Sequence, residues 1–201
     1  MVVANITEPS NFFHLLRRQL TWEFRKPCIV MSPKSLLRHP KVVSPISEFT
    51  SGRFREVLPD TTVTAKEVKR VILCSGKIYY DLEEAREKEK VKNVAIIRLE
   101  QLHPLPKKQI LEILKQYKGA EVVWVQEEPE NMGAWPYLFR RLYKTELKGI
   151  DVISRKESSS TATGYAKLHT NQQANIIAKA FDVAVTEKVK ATAAKATKKL
   201  V

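Results

Sequence analysis

The sequence predicts an α/β fold with a mostly parallel sheet and helices on both faces. The central observation lies in residues 68–82. There the apolar run Val71-Ile72-Leu73-Cys74 follows charged residues and leads through Ser-Gly-Lys into an amphipathic helical pattern. An apolar run with little alternation is typical of a strand that is covered on both faces. The same order of strand and helix recurs at 94–117 and 122–147, and such repetition indicates crossover units in a parallel sheet.

The first forty residues predict a separate β-α-β piece that would close another α/β layer. Met1–Ala4 has the composition of a strand end, and residues 27–31 predict a second, buried strand. Two prolines, Pro33 and Pro40, bracket a single helical turn. Because the chain starts inside a repeating unit, we expect a fragment of a larger protein. A helix opens at Pro9, and its apolar positions are Phe12, Phe13, Leu15, Leu16, Leu20 and Phe24.

Residues 41–67 interrupt this pattern and predict a linker that is packed over a surface, because Pro, Gly, Ser and Asp punctuate them. A compact α/β domain would then begin near Val68 and occupy residues 68–182, with a fourth strand near 150–153 and a last helix over 171–181. The Lys- and Ala-rich tail, residues 183–201, lacks a large apolar face, so we expect it to be disordered.

Composition indicates which classes of partner to expect. The net charge is +13, but +4 of it lies in the tail from residue 186 and the rest is scattered among acidic residues, so we expect no nucleic-acid partner. No apolar run has the length of a membrane span, and no signal peptide opens the chain. Cys28 and Cys74 sit in strand-like runs and indicate buried, reduced thiols. Together these features favour the bacterial cytoplasm or the mitochondrial matrix.

Two short segments raise the question of chemistry without answering it. The turn Ser75-Gly76-Lys77 either cradles a phosphate at a helix start or is simply a tight turn, and the second interpretation is favoured because no Walker loop or dinucleotide fingerprint surrounds it. Residues 126–131 gather carboxylates after a strand, but no convergent His or Asp accompanies them. We therefore expect no catalytic, cofactor-binding or metal-binding residues in this chain.

Six segments carry a family resemblance: FFHLLRRQL, RKPCIVMSPKSLLRHP, FTSGRFREVLPD, VKRVILCSGKIYYDL, VAIIRLEQLHPLP and VVWVQEEPENMGAWPYL. In order and spacing they resemble the C-terminal end of the thiamine-diphosphate-dependent first component of the 2-oxoglutarate dehydrogenase complex. The resemblance covers residues 1–181. The tail beyond Asp182 has no counterpart in it.

The resemblance implies a role inside a larger enzyme. Such enzymes decarboxylate 2-oxoglutarate on thiamine diphosphate with Mg²⁺, and they pass the succinyl group to the lipoyl arm of a succinyltransferase component. They work as homodimers, and the groups that bind the cofactor and substrate lie upstream of the region matched here. The resemblance thus implies a fragment that is inactive alone, with residues 1–40 as the end of a pyrimidine-binding domain and residues 68–182 as a transketolase-like C-terminal domain. The alternative is a freestanding regulatory or assembly module of the same fold.

The resemblance also implies a regulatory pocket for acetyl-CoA or a related nucleotide anion, as in actinobacterial members. Its matching positions in this sequence are Arg18, Arg53, Gln101 and Lys108. Three further positions depart from the pattern, because Val2, Glu56 and Gln109 stand where that group has Thr, Ser and Arg. A Glu56 carboxylate would repel phosphate. Ordinary interface and surface cations remain the alternative interpretation.

Self-association is expected from the helix predicted near residues 137–147, together with Trp135 before it. Its apolar side chains would form a surface that the intact enzyme buries between subunits, so we expect dimers. These side chains are Trp135, Leu138, Phe139, Leu142 and Tyr143.

Overall fold

The computed structural model describes residues 1–145, 147 and 149–182. This part of the chain forms eight strands and six α-helices, with two short 3₁₀ turns at Lys34–Arg38 and Ala65–Glu67. In chain order the elements are β1 (Val2–Asn5), α1 (Pro9–Thr21), β2 (Cys28–Met31), α2 (Ile46–Thr50), β3 (Val57–Leu58), β4 (Arg70–Cys74), α3 (Ile78–Lys88), β5 (Val94–Leu99), β6 (Gln101–His103), α4 (Lys107–Leu114), β7 (Glu121–Pro129), α5 (Trp135–Leu142), β8 (Asp151–Arg155) and α6 (Ala166–Phe181).

A five-stranded sheet with the order β3-β5-β4-β7-β8 forms the main layer. All its neighbouring strands are parallel except β3, which runs antiparallel to β5. Alternate residues of β4 belong to the two faces: Leu73 packs in one core with α4 and α5, and Ile72 packs in the other with α3 and α6. The predicted α/β fold, with a mostly parallel sheet and helices on both faces, is confirmed.

A second sheet with the order β2-β1-β6 joins the first forty residues to the rest of the chain. β1 and β2 are parallel, as a β-α-β unit requires, whereas β6 runs antiparallel to β1. The sequence did not predict β6, because its three residues, just before Pro104, lie between the strand and the helix expected within 94–117. The expected linker also contains more structure than predicted, since its Val57–Leu58 strand forms one edge of the main sheet. The domain boundaries proposed from the sequence stay a prediction.

A buried polar cluster fastens the two sheets together. The Glu100 carboxylate accepts hydrogen bonds from the Thr7 amide (2.9 Å), the Thr7 hydroxyl (2.6 Å) and Asn11 Nδ2 (3.0 Å). Arg98 adds a 2.8 Å ion pair to Glu8. Burial raises the pKa of Glu100, while the Arg98 charge and the donors from Thr7 and Asn11 oppose this effect. The cluster ties α1 to the end of β5 and so fixes the first sheet against the second.

Several burial predictions need correction. β2 is not a buried strand, because Ile29 and Met31 are each about half exposed. Cys74 is buried as expected, and burial raises its pKa to about 12, but Cys28 on β2 is partly accessible.

The apolar surface predicted on α5 is largely absent. Trp135, Leu138 and Leu142 are buried in the core of their own chain, and only Phe139 and Tyr143 are exposed. The sequence pattern did not distinguish the face of α5 that packs on the sheet from the face that meets solvent. The predicted disordered tail, residues 183–201, lies outside the described residues. No helix in the described part is long and apolar enough to cross a membrane.

Candidate functional site

The predicted anion pocket is centred on Arg18 of α1. Its guanidinium donates one hydrogen bond from Nη2 to Gln101 Oε1 (2.6 Å) and one from Nη1 to Glu56 Oε1 (3.0 Å). Gln101 opens β6, and the pairing of β6 with β1 brings it to the helix that follows β1. The fold therefore unites two of the four predicted residues, Arg18 and Gln101, in direct contact.

Two aromatic rings enclose the same guanidinium. Arg18 Cζ lies 4.8 Å from the centre of the Trp22 ring and 4.3 Å from the centre of the Phe54 ring. The guanidinium is thus largely desolvated, and its side chain is 18% exposed. Burial lowers the pKa of Arg18, and the Glu56 carboxylate opposes this effect. Because an arginine keeps its proton at any physiological pH, the site holds a fixed positive charge between two apolar walls.

Glu56 is the ion-pair partner of Arg18, at 3.0 Å. Its second carboxylate oxygen accepts a hydrogen bond from Gln109 Nε2 (3.1 Å), so the group is held from two sides. The resemblance marked Glu56 and Gln109 as departures from the pattern, and the structure shows that they bind each other across the pocket. An external phosphate must displace this carboxylate before it can reach Arg18.

Arg53 and Lys108 do not join this cluster. Both side chains are exposed, and within the described part of the chain neither forms a hydrogen bond or an ion pair. Each nevertheless adjoins a member of the cluster in sequence: Arg53 precedes Phe54, and Lys108 precedes Gln109. A role for Arg53 and Lys108 in this site therefore stays a prediction. The enclosing ring of Trp22 was missed by the sequence analysis, although its spacing of four residues from Arg18 on a helix is a usable signal.

The turn at Ser75-Gly76-Lys77 is filled by protein. Gly76 has φ +73°, and a Cβ at this position would lie 2.4 Å from the side-chain nitrogen of Asn5. The Lys77 ammonium is paired with Glu127 (2.8 Å). The geometry supports the interpretation as a tight turn, in which glycine is required both for its backbone conformation and for space.

The acidic segment 126–131 is organised by the buried side chain of Gln126. Its carbonyl oxygen accepts from Trp124 Nε1 (2.9 Å) and from the Trp135 amide (3.0 Å), and its nitrogen donates to the carbonyl of Met132 (2.8 Å). This amide therefore links the end of β7 to the start of α5. Among the described residues, no group of three or more His, Cys, Asp or Glu side chains could hold a metal ion.

Comparison with known proteins places this geometry in a family. The model of the family described as "2-oxoglutarate dehydrogenase C-terminal" matches residues 43–181, which include every strand of the main sheet, from β3 to β8. The chain belongs to this family. The match begins within the expected linker, in agreement with the strand that the linker contributes to the sheet.

Three relatives show how much of a larger protein the chain represents. It is 44% identical over 190 residues to the mitochondrial 2-oxoglutarate dehydrogenase of Caenorhabditis elegans, with 90% of this chain and 18% of the relative covered. It is 44% identical over 185 residues to the 2-oxoglutarate dehydrogenase E1 component of Cupriavidus necator, with 90% and 20% covered. The E1 component of Brucella anthropi is 44% identical over 191 residues, with 87% and 19% covered. The chain thus spans about a fifth of the length of these relatives.

Proposed function

We propose that the chain is the C-terminal part of a 2-oxoglutarate dehydrogenase E1 component and that it contributes assembly and regulation rather than catalysis. The observation that carries this proposal is an apolar surface on its first forty-six residues. Among the described residues, eleven of the fifteen large hydrophobic side chains that are exposed lie in this part of the chain. We call this set the N-terminal apolar surface: Met1, Phe12, Phe13, Leu16, Leu20, Phe24, Ile29, Met31, Leu37, Val43 and Ile46.

A surface of this kind supports a buried role in a larger protein. A concentration of large exposed apolar side chains in one part of a chain favours an interaction role, because leaving them in water forfeits the free energy of burial. β2, which carries two of these residues, is also an edge strand of its sheet and pairs only with β1 in the described part. The polypeptide that precedes the matched region in the relatives is long enough to cover both the surface and the strand edge.

The whole enzyme would carry out the oxidative decarboxylation of 2-oxoglutarate in the tricarboxylic acid cycle, with succinyl transfer to lipoyl groups. Thiamine diphosphate and Mg²⁺ would bind to upstream parts of the protein, and the chain alone would be inactive. Its partners would be a second E1 chain and the lipoyl-bearing succinyltransferase, in the bacterial cytoplasm or the mitochondrial matrix.

Complementation tests this proposal. The chain is mixed with a Cupriavidus necator E1 component from which the region matched by this chain has been removed. Decarboxylation of 2-oxoglutarate by the mixture is then measured. We expect no activity from either polypeptide alone and recovered activity from the mixture. Leu20→Asp should prevent recovery, because Leu20 is 77% exposed on the N-terminal apolar surface. The matched control is Leu168→Asp on α6, which is 46% exposed outside this surface and should leave recovery intact.

Two results would contradict the proposal. One is a folded chain that binds neither the truncated relative nor a second copy of itself, which would favour the freestanding module. The other is equal recovery with Leu20→Asp and with the control, which would show that the N-terminal apolar surface is not the contact.

We further propose that the cluster around Arg18 is a regulatory anion site for acetyl-CoA or an adenine nucleotide, with Arg53 and Lys108 guiding the ligand from outside. A desolvated guanidinium flanked by two rings suits a phosphate that is followed by an apolar or aromatic body. Glu56 sets the affinity, because it competes with the ligand for Arg18. Glu56→Gln should therefore tighten the binding of inorganic pyrophosphate by about tenfold, the size of one charge-assisted hydrogen bond, as measured by calorimetry. Unchanged affinity in this variant would place the anion elsewhere.

A further inference from the structure

A cavity of about 880 Å³ lies on the face of the three-stranded sheet that carries Val3, whereas α1 packs on the other face, against Val2 and Ala4. One wall is the face of the three-stranded sheet that carries Val3 and Met31, and the other is formed where β4, β7 and β8 end. The volume falls within the range of pockets that hold small molecules, and the carboxyl ends of parallel strands are where α/β proteins bind ligands. Leu102, Trp124 and Tyr137 add apolar surface to the lining.

Arg155, the last residue of β8, lines this cavity and is only 8% exposed. Its Nη2 bonds to His169 Nδ1 (3.1 Å) and donates to Gln173 Oε1 (3.0 Å), and both partners are uncharged when His169 accepts this bond. Its Nε is buried without any hydrogen-bond partner. Across the described part of the chain, Arg155 forms no ion pair with a carboxylate.

The other charges around the cavity do not compensate this cation directly. Glu127 is paired with Lys77 (2.8 Å), so these two cancel. Glu128 also lines the cavity, and its charge interacts with Arg155, but the two form no ion pair within 4 Å among the described residues. A buried cation without a bound anion is costly, and arginine meets a carboxylate in a planar, two-pronged geometry.

We propose that this cavity binds a small carboxylate with an apolar body, and that Arg155 holds the carboxylate. His169 assists, because accepting the Arg155 hydrogen bond at Nδ1 leaves the ring proton on Nε2 as a second donor at the cavity wall. The apolar body lies against Val3 and Trp124. This site is separate from the Arg18 cluster, but it shares Met1 and Met31 with the N-terminal apolar surface, so its binding is tested on this chain alone.

Hexanoate and hexanamide are the probes, because they share a shape and differ in charge. We expect hexanoate to raise the melting temperature of the chain at millimolar concentration and hexanamide to bind about tenfold or more weakly, as expected from the loss of a hydrogen bond to a charged group. Arg155→Gln should remove the preference for hexanoate. Arg140→Gln, an exposed cation on α5 outside the cavity, is the matched control and should keep it.

Two further variants test the site even if Arg155→Gln fails to fold. Ala162→Trp fills space at the exposed rim of the cavity and should block hexanoate while Arg155 is kept. Glu128→Gln removes the neighbouring negative charge and should tighten binding. Equal shifts with acid and amide, full binding in Arg155→Gln, or unchanged binding in Ala162→Trp would each overturn the assignment.

Discussion

Replacement of Asp60 by asparagine should destabilise the chain more than any removal of a surface charge. Asp60 sits just after β3, and its carboxylate forms an ion pair with Arg86 of α3. The two side chains are 2% and 7% exposed. The same carboxylate accepts hydrogen bonds from the Ile96 amide (2.7 Å) and the Thr62 amide (2.8 Å). One buried group thus joins β3, α3 and β5.

The expected loss follows from this burial. Removing one partner of a buried ion pair costs about 3–5 kcal/mol, because the other charge stays in the interior without compensation. We expect about 3 kcal/mol for Asp60→Asn, the lower end of that range, because the amide oxygen still accepts from the backbone. For a chain of this length that corresponds to a fall in melting temperature of about 6–12 °C.

The pH dependence of the unfolding free energy provides a second, independent test. Burial by itself would raise the pKa of Asp60, but the amide donors of Ile96 and Thr62, and then the Arg86 charge, outweigh burial and lower it. A carboxyl whose pKa is lower in the folded state stabilises the fold above its unfolded pKa of about 3.9 and loses this effect as the pH falls. The difference in unfolding free energy between the original chain and Asp60→Asn should therefore be full near pH 7 and shrink progressively below about pH 5.

Urea unfolding at pH 7 and at pH 3.5, followed by circular dichroism, measures both quantities. The matched control is Glu84→Gln, which removes an exposed carboxylate from the same helix that carries Arg86. The reasoning is refuted if Asp60→Asn costs no more than this control at pH 7, or if the difference is as large at pH 3.5 as at pH 7.

Three further predictions follow from individual contacts. Acetyl-CoA should raise the melting temperature, and the double variant Arg18→Ala with Lys108→Ala should abolish the shift in differential scanning fluorimetry; an equal shift in both would place the ligand elsewhere. Iodoacetamide should label Cys28 in the folded chain and reach Cys74 only after unfolding, because burial raises the pKa of Cys74 to about 12; mass spectrometry showing equal labelling would contradict this. Gly76→Ala should lower the free energy of unfolding by about 1–3 kcal/mol, since its positive φ is strained for other residues, and a neutral effect in urea unfolding would show that the turn relaxes.

The main sheet could be predicted because its signal is local. β4, β5 and β7 are each short apolar runs followed by amphipathic helices, and those patterns follow directly from burial on both faces of a parallel sheet. β3 and β6 could not be predicted in the same way. They have two and three residues, they pair with strands far away in the chain, and no periodicity can be recognised over such a length.

The candidate site was predictable only in part, for a similar reason. Motif matching indicated Arg18 and Gln101, and the pairing of β6 with β1 brings them together. The occupation of Arg18 by Glu56 depends on the direction of a side chain from the linker, which a sequence pattern does not give. The lack of an ion pair at Arg155 among the described residues is likewise visible only in three dimensions, because its environment comes from α6 and the cavity.

Helix α1 shows most clearly why the chain needs a partner. Phe12, Phe13, Leu16 and Leu20 project within about 100° of one another, the width of the apolar stripe by which an amphipathic helix normally packs on a core. In the structure Leu15 is buried together with polar neighbours such as Asn11 and His14, whereas Phe12 and Leu20 face outward. Local composition and observed exposure therefore disagree, and such a conflict raises the free energy of the isolated chain. Covering this side of α1 with the preceding polypeptide removes the conflict, which is why Leu20→Asp should impair complementation more than it impairs folding of the chain alone.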